Sequence, residues 1–132
     1  MKWIGITGGI ASGKSTVTKL LRTLGFEVLD ADQISHQVTQ VHGPALVQIY
    51  KTFGEAVRNP DGSLNRQLLG SMVFGRVAEL KKLEAILHPL VREKIAAERA
   101  RLLARGESAV FYDVPLLYEK QMETDFDAVV LV

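Results

Sequence analysis

The stretch Gly8-Gly9-Ile10-Ala11-Ser12-Gly13-Lys14-Ser15-Thr16 decides the fold. It satisfies the pattern G-x-x-x-x-G-K-[ST] in full, and each part has a chemical reason. Gly8 and Gly13 let the backbone take positive φ and come close to a ligand. Consecutive amides then point inward as an anion nest, at the positive end of the helix that follows. Lys14 brings a mobile charge to β- and γ-phosphates, and Ser15 offers a hydroxyl to Mg²⁺. A chance glycine-rich turn is the plain alternative, and the flanking sequence argues against it. Residues 2–7 read as a short buried strand running into the glycines. Residues 14–24 place Val17, Leu20, Leu21 and Leu24 at i, i+3, i+4 and i+7, the spacing of a helix with one apolar face. Residues 8–16 are therefore expected to hold a nucleoside triphosphate.

Working outward, Gly25 stops the helix and 26–30 is a second apolar run of strand length. Strand, glycine loop, helix and strand open a parallel α/β sheet. The middle reads as helical. Asp32 can cap a helix carrying Ile34, Val38 and Val41, which Gly43-Pro44 ends. Leu46 to Phe53 follow with Gly54 as a stop, and Asn59-Pro60-Asp61-Gly62 is a turn. Helical patterns run through Leu68, Leu69, Met72 and Val73, then through Val77, Leu80, Leu83 and Leu87. Pro89 is expected to open a further helix that ends at Gly106. Strands resume at 109–114 and 127–132. The expected architecture is a three-layer α/β fold of P-loop kinase type, with a parallel sheet. It is one domain over 1–132, with a core of 1–32 and 107–132 and a helical insertion over about 33–105.

Composition narrows the function classes. A chain of 132 residues has room for one domain, and 47% hydrophobic with 23% charged residues fits a globular protein rather than a disordered one. Sixteen Lys+Arg against fifteen Asp+Glu leave a charge of +1, so no global footprint for nucleic acid or anionic lipid exists. The absence of cysteine excludes a disulfide scaffold, a thiolate metal site and a cysteine nucleophile, and fits the cytoplasm. No stretch approaches the 18 or so apolar residues of a membrane span. The basic residues of 89–105 alternate with Glu93 and Glu98, the mark of a solvated helix face.

Several polar residues are candidates for chemistry. Asp30 and Asp32 stand at the end of the second strand, the edge that faces the ligand crevice of an open α/β sheet. A carboxylate there can accept the proton of an attacking hydroxyl, and Asp32 is the favoured base. It is equally placed to be a helix N-cap, and the two roles are compatible; Asp30 reads as structural or secondary. Asp113 closes the apolar run 109–112 in the manner of a Walker B acid on Mg²⁺, or as an ordinary strand-end aspartate. His36, His42 and His88 lack metal-ligand spacing. His36 follows Asp32 by one helical turn and can share its face, although a lone histidine is more often simply packed. Arg66 and Arg92 are candidate anion ligands from their position in or near the insertion.

With these residues placed, the chain resembles the dephospho-coenzyme A kinases. The resemblance rests on GITGGIASGKST at 5–16, GFEVLDAD at 25–32 with His36 beyond it, DGSLNRQLLGSMVF at 61–74, LEAILHPLVRE at 83–93 and FYDVPLLYE at 111–119. The P-loop alone indicates only the superfamily; the blocks in combination are far more selective. The resemblance implies transfer of the ATP γ-phosphate to the ribose 3′-hydroxyl of dephospho-coenzyme A, the last step of coenzyme A synthesis. It matches Asp32 to the family's general base, with Lys14 on the transferred phosphate. It maps His88 and Pro115, Leu116, Leu117 and Glu119 to the acceptor region, and the helical insertion to the acceptor-binding domain. A monomer or weak homo-oligomer is expected.

Family members normally continue into an arginine-bearing lid, a fifth strand and further helices. By that measure the sequence, which stops at Val132, reads as truncated, with its last strand left as an apolar edge. These residues alone are then expected to bind ATP weakly and to turn over little. Two other readings compete: a P-loop kinase for a different small acceptor, and a non-catalytic ATP-binding module.

Overall fold

A computed structural model describes residues 1–9, 12–114 and 123–132. Its chain divides into two compact units, Met1–Gln33 with Ala96–Val132, and Ile34–Ile95.

The first unit is built on a sheet of four parallel strands: β1 (Lys2–Thr7), β2 (Glu27–Asp30), β3 (Ala109–Asp113) and β4 (Ala128–Leu131). Their spatial order is β2-β3-β1-β4. The path from β1 to β2 crosses the sheet in one direction, and the path from β2 to β3 crosses back in the other. Right-handed crossovers then put helix α1 (Lys14–Thr23) on one face and the helix entering β3 on the opposite face, which makes three layers. The direction reverses between neighbouring strands β1 and β3. Ligands of open α/β sheets bind beyond the strand ends at such a reversal.

Side-chain alternation sorts the two faces. Trp3 and Tyr112 share one, with ring centroids 5.3 Å apart, and Phe126 stacks on Trp3 at 5.6 Å. The Arg99 guanidinium lies 4.3 Å from the Trp3 ring centroid, a cation–π contact. Arg99 belongs to α5 (Val77–Ala104), so the last turns of that helix, with fully buried Leu102, cover this face. On the other face Phe26 meets Phe111 edge to face at 5.5 Å, above buried Ile6 and Val28. Each aliphatic side chain buried in these layers contributes roughly 1.5–3 kcal/mol. β4 is an edge of the described sheet, and Val130 and Leu131 on it are exposed.

The second unit is helical: the greater part of α2 (Ala31–Val38), then α3 (Leu46–Phe53), α4 (Arg66–Val73) and α5 up to Ile95. Its core joins Ala45, Leu46, Ile49, Phe53, Val57, Leu64, Leu69 and Val73, with Leu83, Ile86, Leu87 and Leu90 packed against them. Asn65 caps α4 by accepting from the Leu68 amide at 3.1 Å. The turn at 59–63 closes with Asp61 accepting from the Ser63 amide at 2.9 Å, and the Tyr50 hydroxyl donates to the Gly62 carbonyl at 3.2 Å.

Three expectations from sequence are corrected. Pro89 does not open a helix: it lies inside α5, one continuous helix of 28 residues. Proline removes one amide donor there, and the apolar contacts of Leu83, Leu87 and Leu90 on either side hold the helix together. α2 ends at Val38 instead of reaching Val41, because the chain turns through Thr39 to Gly43, with Gly43 N bonded to Gln40 O. Asp32 is not the cap of α2. That role belongs to Asp30, whose Oδ1 accepts from the Asp32 amide at 2.8 Å and the Gln33 amide at 3.2 Å.

Candidate active site at the end of the sheet

β1 is apolar and central, and its buried run ends on Thr7 before the glycines begin. Gly8 is needed where it stands: a Cβ there would lie 2.7 Å from Ser12 Oγ and 2.9 Å from the Val132 carbonyl oxygen. Gly13 takes φ +89°, a conformation that L side chains rarely adopt, and leads directly into α1. No side chain caps α1, so its first amides are left for a ligand. The Thr16 and Val17 amides both turn back to the Gly13 carbonyl at 3.1 Å, which fixes the first turn that carries Lys14 and Ser15. Gly9 accepts from the Ser12 amide at 3.2 Å, closing the loop from the other side. Ile10 and Ala11 lie outside the described residues.

β3 brings the acids. Asp113 is in register with Ile6 of β1 on one side and Asp30 of β2 on the other. Lys14 Nζ reaches Asp113 Oδ1 at 2.7 Å, with both side chains largely buried. The approach is an ion contact rather than an aligned hydrogen bond, since that oxygen has no partner in hydrogen-bond geometry. Ser12 Oγ is buried with no hydrogen-bond partner among the described residues. Buried polar atoms are normally satisfied, so this hydroxyl and the buried ion pair beside one glycine cradle mark a place for a ligand.

The donor set fits a hard divalent cation. Ser15 supplies a hydroxyl and Asp113 a carboxylate, and Mg²⁺ at phosphate sites takes one or two protein oxygens with the rest from phosphates and water. Among the described residues no group of three or more His, Cys, Asp or Glu could hold a metal by itself.

Asp32 occupies the first turn of α2, exposed and free of cap duty because Asp30 performs it. Both carboxylates act on Tyr112. Burial pushes its phenol up to about 12, and the charges of Asp30 and Asp32 add to the shift. Tyr112 was missed in the sequence. Only the register that sets β3 beside β2 brings it toward those acids, and no spacing rule could have shown it.

The remaining predicted residues are placed as follows. In the second unit, Arg66 opens α4 and donates to the Thr39 carbonyl at 3.4 Å, which ties it to the end of the helix that carries His36. His36 is exposed in the last turn of α2. His88 and Arg92 are exposed on α5. Pro115, Leu116, Leu117 and Glu119 lie outside the described residues.

A parallel sheet with this cradle, lysine and strand-end acid at the reversal between β1 and β3 defines a P-loop α/β fold. The comparisons with known proteins narrow it. Residues 2–132 match the model of the dephospho-CoA kinase family, and the chain belongs to that family. The dephospho-CoA kinase of Anaeromyxobacter dehalogenans is 49% identical over 132 residues, covering 100% of this chain and 63% of that protein. A crystal structure of a Thermus thermophilus protein superposes with a TM-score of 0.86 at 40% identity, over 99% of this chain and 64% of the other. The dephospho-CoA kinase of Campylobacter jejuni superposes with a TM-score of 0.75 at 29% identity, over 98% of this chain and 64% of the other. The chain thus spans just under two thirds of the length of these relatives. No described helix is long and apolar enough to cross a membrane.

Proposed function

We propose that the protein transfers the γ-phosphoryl group of ATP to the ribose 3′-hydroxyl of dephospho-coenzyme A, giving coenzyme A and ADP. The observation that carries the reading is the cradle at the end of β1: Gly8 with no room for a Cβ, Gly13 at positive φ, uncapped α1 amides and Lys14 against Asp113. Family membership supplies the acceptor.

In this reading Gly8 to Thr16 bind the triphosphate, and Lys14 neutralises charge on the transferred group. Ser15 and Asp113 would hold Mg²⁺, which supplies further charge neutralisation at the phosphate oxygens when bound. Asp32 accepts the proton of the 3′-hydroxyl as its oxygen attacks the γ-phosphorus, and the bond from phosphorus to the β-phosphate bridging oxygen breaks. In this reading the helical insertion binds the acceptor, with His36, Arg66 and His88 as its candidate contact residues. The protein works in the cytoplasm as a monomer or weak homo-oligomer.

The test is ATP consumption that depends on dephospho-coenzyme A, measured with Asp32→Asn beside the wild type. Turnover is expected to fall by about 10²–10⁴, the worth of a general base, while ATP binding persists. The wild type is expected to consume ATP slowly but in dependence on the acceptor; ATP binding with no such consumption at all would replace this reading with a nucleotide-binding module.

A further inference from the structure

We infer that Asp30 is the positioning residue of the reaction, setting the place of Asp32 through the backbone. The inference rests on the proposed role of Asp32 as base. Asp30 is the last residue of β2, and Oδ1 receives two hydrogen bonds from the first turn of α2, one of them from the amide of Asp32 itself. The Asp32 amide is thus anchored to the carboxylate two residues before it, at the end of β2. β2 is in turn held in register by β3, where Asp30 pairs with Asp113. A single side chain therefore links the strand that ends beside the Lys14–Asp113 pair to the residue that must meet the acceptor hydroxyl.

The division of labour between the two aspartates follows. Two amides of the first turn hold Asp30 Oδ1, which fixes that carboxylate at the start of the helix. Asp32 makes no cap bond and is exposed, so its carboxylate is the one available to substrate. Reading Asp-Ala-Asp as one unit explains why the pair is spaced by two: the first carboxylate caps N2 and N3 of the helix, and N2 is the base.

The chemistry of capping gives the test, because asparagine caps a helix as well as aspartate and alanine does not. Asp30→Asn and Asp30→Ala are compared with wild type and Asp32→Asn, reading kcat, KM for ATP and for the acceptor, and thermal stability. Asp30→Ala is expected to lose on the order of ten- to a hundredfold in kcat, the scale of a misplaced catalytic group, with KM for ATP unchanged. Asp30→Asn is expected to stay within about threefold of wild type, since the cap survives. A general structural loss would instead lower stability and ATP affinity together. The inference is overturned if Asp30→Asn is as inactive as Asp32→Asn, which would make the Asp30 carboxylate itself the base. It is overturned equally if Asp30→Ala, or Asp30→Gly should alanine prevent folding, keeps full kcat. Wild-type activity that survives Asp32→Asn would remove the role of Asp32 first, and the inference with it.

Discussion

The two compact units bury different kinds of atoms. The helical unit has an apolar core of Ala45, Leu46, Ile49, Phe53, Val57, Leu64, Leu69 and Val73, and the hydroxyl of its buried Thr39 is satisfied by the Ser35 and His36 carbonyls at 3.1 Å. The sheet unit buries aliphatic side chains too, but at the ends of β1 and β3 it also sequesters the Lys14–Asp113 ion pair and a Ser12 Oγ with no hydrogen-bond partner among the described residues. An unsatisfied buried oxygen costs about 1–3 kcal/mol. A region optimised only for folding would not retain it. The difference separates residues kept for stability from residues kept for a ligand, and it yields measurements that divide the two.

The largest effect belongs to the lysine. Lys14→Gln is expected to lower turnover by about a thousandfold or more, the scale of removing a charge that meets the transferred phosphate. It also strands Asp113, so the double variant Lys14→Gln/Asp113→Asn should regain thermal stability without regaining turnover. Recovery of turnover in the double variant would assign the pair to folding alone. Next comes the helical core. Ile49→Ala is expected to destabilise by about 2–5 kcal/mol in denaturant titration while the folded fraction binds ATP with unchanged affinity. A change in that affinity would mean that the two units do not separate as their buried atoms imply.

The smallest effect is optical and concerns pH. Tyr112 has a folded-state value near 12, above the ordinary tyrosine value of 10, so its neutral form is favoured by folding. The associated stability is complete below pH 10 and is lost as pH rises toward 12. Ultraviolet titration should show a phenol ionising above the ordinary tyrosine range, and Tyr112→Phe should remove that step. Neutralising Asp30 and Asp32 together should advance it only in part, because burial is the larger cause.

Much of this was legible in the sequence for a physical reason. β1, the glycine loop, α1 and β2 each carry a local signal, periodicity in the helix and glycine at the stops, so their order and character could be read directly. Gly8, Gly13, Lys14 and Ser15 are singled out by a local motif for the same reason. What could not be read was non-local or off by one position. The contact of Lys14 with Asp113 joins residues 99 positions apart by sequence number, and needs β3 to pair with β1. Either aspartate of Asp-Ala-Asp is an acceptable cap, and only the exact start of α2 chooses between them. Pro89 misled because proline marks helix starts more often than interiors, and flanking apolar contacts overrode the rule.

The chain contains one tryptophan, and it is Trp3, on the strand whose other end becomes the glycine loop. Its indole is 4% exposed, between Phe126, Tyr112 and the Arg99 guanidinium, and its amide donates to Asp127 at 2.7 Å. Its emission therefore comes from a single dry site that touches β3, α5 and the approach to β4. That gives the protein a built-in lamp: assembly of the central sheet can be followed in real time, with no label attached, through an indole that lies outside the helical unit.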